Sequence, residues 1–394
     1  SLLMSILGWV LPLVIFIAVG QIISRFKSSF ISQYHPCGRV LQVLSRLEQC
    51  RTSSLGGHVD VCPQCGGVRV SYNSCRDRHC PKCQGAEREV WIHARKEDML
   101  PVKYFHVVFT LPAALHSLAL GNMKPTYSCL FDAAWKTLSA FAVNKGAQAG
   151  MVAILHTWGS NLHYHPHLHC VVPEGGIDAG GEWKKLSGAN KDSPFLFPVR
   201  AMSKVFRAKF MQEWGKHVKV PQVTRKQLFE KEWVVYSKVP FKGVEKVIEY
   251  LGRYSHRTAI SNARIKRVTD TSVMFDYKDY KDGGKHKMMT LTGEEFMHRF
   301  SRHILPAGFV RIRHYGFLAA CNRRKLRSIQ IRMKVPPAPL KRKRAKWKEL
   351  CKDKWMEYNL CKHCGGAQMI TIEVLGPSRS PPGVWKVERL NASF

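Results

Sequence analysis

Apolar residues recur at two different spacings along the chain, which predicts a mixture of helices and strands. A repeat of three or four residues gives a helix one apolar face, whereas alternation or a short β-branched run is typical of a strand. The first pattern predicts helices at about 33–47, 86–99, 122–145, 200–217, 244–257, 292–303 and 341–354. The second predicts strands at 104–111, 152–158, 168–172, 233–237, 265–277 and 285–291.

A cluster of histidines lies between two of the predicted strands. Within fourteen positions the chain carries His156, His163, His165, His167 and His169. His167 and His169 flank Leu168, so alternation along a strand places both imidazoles on one face, where they can chelate one cation. If the intervening loop turns the chain back, His156 can supply a third ligand, and His165 is the competing candidate. Neutral histidines are poor core residues without partners, which favours a metal site over an exposed histidine-rich hairpin.

The predicted helix at 244–257 carries two tyrosines one turn apart. Its apolar stripe consists of Val244, Val247, Ile248 and Leu251. Tyr250 and Tyr254 share the shoulder beside that stripe, so their hydroxyls can reach one cleft. A pair of tyrosines at this spacing is usually a packing feature, and on its own it is a weak motif.

Several of the 13 cysteines stand at the spacing of zinc knuckles. Cys62-x2-Cys65 and Cys80-x2-Cys83 are separated by fourteen residues. This pattern predicts a zinc ribbon, in which each pair gives two thiolates to one tetrahedral ion. Zinc sites of this kind, rather than disulfides, imply a reducing compartment.

The remaining cysteines and histidines of this region allow two interpretations. They are Cys50, His58, Cys75 and His79. They could form a second zinc site, or they could be buried thiols and hydrogen-bonded imidazoles. The later Cys361-x2-Cys364 pair looks like half of a ribbon without a visible partner pair, so a zinc site there is doubtful.

The charge balance points to a polyanionic partner. Lys and Arg number 62 against 28 Asp and Glu, a formal net charge of +34, while 45% of the residues are hydrophobic. A folded protein with so positive a surface attracts nucleic acid first, and an anionic membrane surface is the second candidate. We expect no nucleotide cofactor, because the sequence has no phosphate-binding Gly-Lys-Ser/Thr loop. Basic and aromatic residues at 311–327 suit single-stranded DNA.

The first twenty residues carry no charge and resemble a transmembrane helix or a signal-peptide core. No basic segment precedes them, Pro12 interrupts them, and secretion would oxidise the zinc-type cysteines. We interpret them as a leader peripheral to function. Membrane tethering is the alternative.

In their order, these motifs resemble those of the two-tyrosine rolling-circle transposases of bacterial insertion sequences, the IS91 family. The likeness runs from about residue 50 to residue 325, and it begins with an N-terminal zinc-binding domain. The specific stretches are CRTSSLGGHVDVC, NSCRDRHCPKCQ, HPHLHCVVPEGG, FLFPVRAMSKVFR, EYLGRYSHRTAISN and FVRIRHYGFLA.

The resemblance implies an α+β fold of the HUH endonuclease class. The expected catalytic domain is an antiparallel sheet flanked by helices, with the His pair on a central strand, preceded by a small zinc-ribbon domain. The expected divisions are a leader (1–30), a zinc-binding domain (31–98), the catalytic domain (99–265), a hairpin, helix and basic extension for DNA (266–334), and a basic linker with the C-terminal cysteine pair (335–394).

The resemblance also implies a chemistry. Tyr250 and Tyr254 match the two nucleophiles, and His167 and His169 match the pair that binds a divalent ion, Mg²⁺ or Mn²⁺. The expected reaction cleaves and rejoins single-stranded or locally melted DNA at insertion-sequence ends through a 5′-phosphotyrosine, in the bacterial cytoplasm. The expected DNA-binding residues are Arg253, Arg257, Arg311, Arg313, Arg323 and Arg324.

Two other classes of protein share some of these features. A non-catalytic zinc-ribbon DNA-binding protein would use the histidines structurally and would not need the tyrosines. A metal-dependent hydrolase would attack its substrate with water. Only the tyrosine mechanism leaves a covalent adduct between protein and DNA.

Overall fold

The computed structural model describes residues 18–186, 195–238, 241, 243–341 and 347–377. The helices are α1 (Val19–Tyr34), α2 (Gly38–Glu48), α3 (Gln84–Lys96), α4 (His116–Gly121), α5 (Met123–Val143), α6 (Val199–Trp214), α7 (Gln222–Glu230), α8 (Val244–Ser255), α9 (Gly293–Ser301), α10 (Arg323–Arg332), α11 (Trp347–Leu350) and α12 (Lys352–Asn359). The strands are β1 (Gly57–Val61), β2 (Val68–Tyr72), β3 (Tyr104–Thr110), β4 (Gly150–Trp158), β5 (Tyr164–Pro173), β6 (Gly175–Ile177), β7 (Trp183–Lys185), β8 (Val235–Ser237), β9 (Ile265–Val268), β10 (Ser272–Asp279), β11 (Lys285–Thr292), β12 (Ile312–Gly316) and β13 (Ile370–Leu375).

A five-stranded antiparallel sheet forms the centre of the molecule, in the order β12-β4-β5-β3-β8. The strand β5, which carries His167 and His169, lies in the middle. This confirms the predicted α+β class and the antiparallel sheet flanked by helices. The edge strand β12 lies in the segment predicted to be a separate extension, residues 266–334. The predicted boundary at residue 265 therefore divides the central sheet, because β12 pairs with β4.

The two faces of this sheet pack against different helices. Because side chains alternate along a strand, Leu168 and Cys170 of β5 point into the large core with helices α5 and α6. On the opposite face, Ile154 and Val171 pack against the apolar stripe of α8. The same alternation that fills the core therefore presents the histidines toward the tyrosine helix.

A second core is built around α1, α2, α9 and the three-stranded sheet β11-β10-β9. Its buried residues from α1 are Val19, Ile22, Ile23, Phe26 and Phe30. The predicted boundary at residue 30 falls inside this helix. The described part of the predicted leader therefore belongs to the core and is not peripheral. Residues 1–17 of the predicted leader lie outside the described residues. Among the described residues, no helix combines the length and the apolar character that crossing a membrane requires.

A third sheet joins two strands of the zinc-binding region to a strand near the C-terminal end of the described chain. Strand β1 pairs with β2 on one side and with β13 on the other, in the order β13-β1-β2, and both pairings are antiparallel. The C-terminal segment, predicted to be a separate division, thus completes a sheet of the zinc-binding region.

The contact between α1 and α9 makes a testable prediction about stability. A Cβ added at Gly293, the first residue of α9, would lie 2.1 Å from a ring carbon of Phe26. Overpacking of this kind costs about 1–3 kcal/mol, so Gly293→Ala should lower the urea midpoint of unfolding. Gly85→Ala in α3, where nothing lies within 4 Å of the added carbon, is the matched control and should leave the midpoint at or above that of the wild type, because alanine favours a helix more than glycine does. Equal midpoints for the two variants would contradict this packing.

Candidate active site and cysteine clusters

Three histidines from adjacent strands converge on the face of the sheet that α8 covers. His156 of β4 stands directly opposite His167 of β5, and His169 is two residues further along. One ring nitrogen from each can be chosen so that all three lie within 4.8 Å of one another. His165, the competing candidate for a third ligand, is exposed and does not belong to this group.

Backbone carbonyls fix the tautomers of two of these rings. His167 Nδ1 lies 2.7 Å from the carbonyl oxygen of His165, and His156 Nε2 lies 2.8 Å from that of Tyr254. A carbonyl only accepts hydrogen bonds, so each of these nitrogens carries the proton and leaves a lone pair on the other. His167 Nε2 then faces His169 Nε2 at 3.1 Å. Such outward hydrogen bonds are typical of histidines that bind metals.

Burial keeps these imidazoles neutral. It lowers the pKa of His167 to about 4, with a further decrease from the neighbouring His165. It also lowers the pKa values of His156 and His169 well below the usual range. Neutral imidazole is the form that coordinates a cation, so the donor set fits a metal ion.

Both tyrosines of α8 reach the histidine group. Their rings stack on each other with centroids 4.4 Å apart, and the Tyr254 ring lies 4.5 Å from that of His169. The Tyr250 hydroxyl oxygen is 3.0 Å from His169 Nδ1. Burial raises the pKa of Tyr250, and Tyr254 adds to the increase. The structure thus brings together all five residues that the sequence predicted for this site.

A sixth residue, His106 of β3, belongs to the same cluster and was missed in the sequence. Its Nε2 lies 3.0 Å from His169 Nδ1 and also forms a short hydrogen bond with the Tyr250 hydroxyl. His106 is buried, and burial lowers its pKa to about 3. The available signal was a lone histidine in an otherwise apolar strand, which is unusual for a polar group without a partner.

Eight of the 13 cysteines form two groups of four in the described residues. The first group contains Cys50, Cys75, Cys80 and Cys83, and the second contains Cys62, Cys65, Cys361 and Cys364. The predicted ribbon of Cys62, Cys65, Cys80 and Cys83 is therefore corrected: its two knuckles belong to different groups. The C-terminal pair, expected to lack a partner, faces the first knuckle.

The two histidines considered for a second zinc site lie outside both groups. His58 is on β1, with its Nε2 3.5 Å from Asp60 Oδ2. His79 is buried, with Nδ1 2.7 Å from Asp77 Oδ1, while its Nε2 accepts a hydrogen bond from the Leu305 backbone N–H at 3.1 Å. The Nδ1 contact lies within the zinc-binding region, and the Nε2 contact joins that region to the segment at Leu305.

Comparisons with known proteins agree with this arrangement. A family model described as "Transposase zinc-binding domain" matches residues 22–111, and one described as "Putative transposase" matches residues 150–325. A protein of Sinorhizobium fredii named "Putative transposase y4qJ" is 40% identical over 399 residues, covering 93% of this chain and 98% of the relative. The chain belongs to the IS91 family of transposases. A transposase for insertion sequence element IS801 from Pseudomonas savastanoi is 29% identical over 290 residues, 71% of this chain and 70% of the relative. No solved structure matches the chain.

As a member of this family, the transposase is an enzyme that binds DNA and catalyses DNA cleavage and strand transfer. The match to the zinc-binding domain also indicates that the protein binds structural zinc. The first cysteine group lies entirely inside the zinc-binding match. Its Sγ atoms are 3.4 to 3.7 Å apart in the three pairs Cys50–Cys83, Cys50–Cys80 and Cys75–Cys83. Four thiolates around one zinc at about 2.3 Å lie about 3.8 Å from one another, so the group fits the ion.

The six arginines predicted to bind DNA are placed very differently in the transposase. Arg253, Arg257 and Arg324 are exposed. Arg313 is half-buried, with its guanidinium 4.4 Å from the ring centre of Phe131. Arg323 is occupied by an ion pair with Asp98, 2.7 Å long.

The position of Arg311 differs most clearly from the predicted role in DNA binding. Its side chain is only 8% exposed, and its guanidinium donates to the carbonyl oxygens of Ser255 and Arg257 at 3.0 and 3.2 Å. It therefore caps the C-terminal end of the tyrosine helix from beside β12, where a positive charge also complements the helix dipole.

This role predicts a loss of stability in Arg311→Gln. Buried carbonyls left without a donor cost about 1–3 kcal/mol each, so the free energy of unfolding should fall by about 2 kcal/mol or more. Arg324→Gln, at an exposed position of the same basic region, should change it by less than about 0.5 kcal/mol. Chemical denaturation of both variants measures the difference. An Arg311→Gln protein as stable as the wild type but weaker in DNA binding would mean that the side chain contacts DNA.

Proposed function

We propose that this transposase cleaves and rejoins one DNA strand at the ends of its insertion sequence through a 5′-phosphotyrosine intermediate, with Tyr250 and Tyr254 as nucleophiles. The observation that carries the proposal is the position of the Tyr250 hydroxyl, 3.0 Å from a ring nitrogen of His169. The hydroxyl of a nucleophile and the ligands of a candidate metal site thus share one cluster. A merely structural histidine group has no need of two tyrosines beside it.

His156, His167 and His169 would hold a divalent ion, Mg²⁺ or Mn²⁺. Their neutral rings, their lone pairs and their convergence within 4.8 Å support this assignment. When bound, such an ion neutralises the charge that develops on the scissile phosphate. His165 is the less suitable third ligand, because its ring is exposed and does not belong to the converging group.

The chemical step exchanges one phosphodiester for another. The phenol oxygen attacks phosphorus, the bond from phosphorus to the 3′-oxygen breaks, and the proton lost by the phenol ends on that 3′-oxygen. The phosphotyrosine keeps the energy of the cleaved bond, so rejoining needs no nucleotide cofactor. Because burial raises the pKa of Tyr250, the phenol depends on its neighbours for deprotonation.

Two tyrosines beside one histidine group allow one strand to be held while another is cut. Their rings are stacked 4.4 Å apart, so both can address a phosphate at the same place. This arrangement suits rolling-circle strand transfer, in which a cut end stays attached to the enzyme until it is joined to a new site.

The substrate we propose is single-stranded or locally melted DNA. Arg257 is exposed just beyond the C-terminal end of the tyrosine helix. Burial is the main cause of the lowered pKa values of His156, His167 and His169, and the positive charge of Arg257 lowers them further. Arg253 is exposed on the same helix and ion-paired with Glu249. Together with the net charge of +34, these groups can bind the backbone of a DNA strand without reading its sequence.

The tyrosine mechanism predicts a covalent adduct. Incubation with single-stranded DNA from an insertion-sequence end and Mg²⁺ should give a protein–DNA band resistant to denaturant, and mass spectrometry should place the DNA on Tyr250 or Tyr254. Tyr250→Phe/Tyr254→Phe should reduce the adduct to background, since no phenol oxygen remains to attack.

Tyr280→Phe is the matched control for this experiment, because Tyr280 is 75% exposed and lies outside the site. It should form the adduct at the wild-type level. DNA cleavage that proceeds without any adduct would favour a hydrolase that uses water, and adduct formation by the double variant would exclude both residues as nucleophiles.

The metal assignment predicts which histidine variants lose DNA cleavage and which one keeps it. His156→Ala, His167→Ala and His169→Ala should each lower the cleavage rate by about a hundredfold or more while DNA binding persists, because the charge on the phosphate is no longer compensated. His165→Ala should remain close to the wild type. The readouts are nicking of a labelled oligonucleotide and its binding by gel shift. A loss in His165→Ala with none in His156→Ala would reverse the choice of the third ligand.

A further inference from the structure

Two short segments far apart in the sequence form the same turn. Each reads Cys-x-x-Cys-Gly-Gly, at residues 62–67 and 361–366. In each, the first glycine donates its N–H to the carbonyl of the first cysteine, Gly66 to Cys62 at 3.0 Å and Gly365 to Cys361 at 2.9 Å. Both glycines have φ of +67°, a conformation that favours glycine. The two segments are thus knuckles of one kind.

The sulfurs of the two knuckles face one another. Cys62 Sγ lies 3.7 Å from Cys364 Sγ, and Cys65 Sγ lies 3.6 Å from Cys361 Sγ. These distances exceed an S–S bond of about 2.05 Å, but they match the edge of about 3.8 Å in a tetrahedron of thiolates around zinc. All four sulfurs lie within 4.8 Å of one another.

We propose that Cys62, Cys65, Cys361 and Cys364 bind a second Zn²⁺, separate from the ion of the Cys50 group, and that this ion fastens the C-terminal segment to the N-terminal zinc-binding domain. Each thiol gives up a proton and its sulfur coordinates the ion. The family match for the zinc-binding domain ends at residue 111, so half of these ligands lie outside it.

Contacts around the knuckles hold the four sulfurs in place. Asp60 of β1 is buried, and its carboxylate accepts hydrogen bonds from Thr371 of β13 at 2.7 Å and from Arg69 of β2 at 2.9 Å. Arg69 also donates to the carbonyl of Tyr358 and to the side chain of Asn359, just before the second knuckle. One buried carboxylate therefore connects all three strands of the sheet.

The site closes a loop of about three hundred residues, since the paired cysteines are 296 and 302 positions apart. A link across so long a loop removes much of the freedom of the unfolded chain. It also holds helix α12 near α3, where Lys354 and Glu89 form an ion pair at 3.5 Å. Since α3 packs on the tyrosine helix α8, the C-terminal segment becomes part of the surroundings of the active site.

Alkylation of the wild-type protein tests the proposal without any variant. Cys65 and Cys364 are as open to solvent as Cys37 and Cys321, all four being exposed. If the second site holds zinc, iodoacetamide should modify Cys37 and Cys321 rapidly and spare Cys65 and Cys364 until a strong chelator removes the metal. Equal rates for all four thiols in the metal-loaded protein would overturn the proposal.

The zinc content provides the second measurement. Native mass spectrometry should find one zinc ion fewer in Cys361→Ser/Cys364→Ser than in the wild-type chain. Cys321→Ser/Cys351→Ser, the matched control with cysteines outside both groups, should hold as many zinc ions as the wild type. Equal zinc content in the wild type and in Cys361→Ser/Cys364→Ser would overturn the proposal. If that variant fails to fold, the alkylation of the wild type decides.

Discussion

Several imidazoles can be buried side by side only if each stays neutral and has a hydrogen-bond partner, and the centre of this transposase is arranged around that requirement. His156 finds its partner in the backbone of Tyr254, His167 in its own strand, and His169 in His106. Two of these partners bear directly on the tyrosine helix, since His106 also bonds the Tyr250 hydroxyl. The hydrogen bonds that satisfy the buried histidines therefore also connect them to both tyrosines.

The tyrosine helix is held at its far end by a different interaction. Arg311 reaches it from beside the edge strand β12 and caps its last carbonyls, and burial lowers the pKa of this arginine to about 10. Helix α8 is thus held at two places. Imidazoles of the sheet contact its tyrosines, and the guanidinium of Arg311 binds its C-terminal end. A residue predicted from its charge to contact DNA is instead buried, with its guanidinium bonded to carbonyl oxygens at the end of the helix that carries both tyrosines.

Local pattern predicted the strand pair around the histidines and the helix with Tyr250 and Tyr254, and the family resemblance implied the antiparallel sheet. All three are found. The errors concern long-range choices. The spacing of Cys62 and Cys65 reveals a knuckle, but only the folded chain decides that its partner is Cys361 and Cys364 rather than the pair at 80 and 83. His106 stands alone in its strand, so no motif marks it before β3 and β5 pair.

The pairing of β1 with β13 has a consequence for synthesis. A ribosome completes β1 and β2 long before it reaches β13, the third strand of their sheet. Until then one side of β1 presents free backbone groups, an edge that other chains could join. A product cut short by a premature stop codon would retain the histidines and the tyrosines but keep that edge open, which makes association with other chains its expected fate.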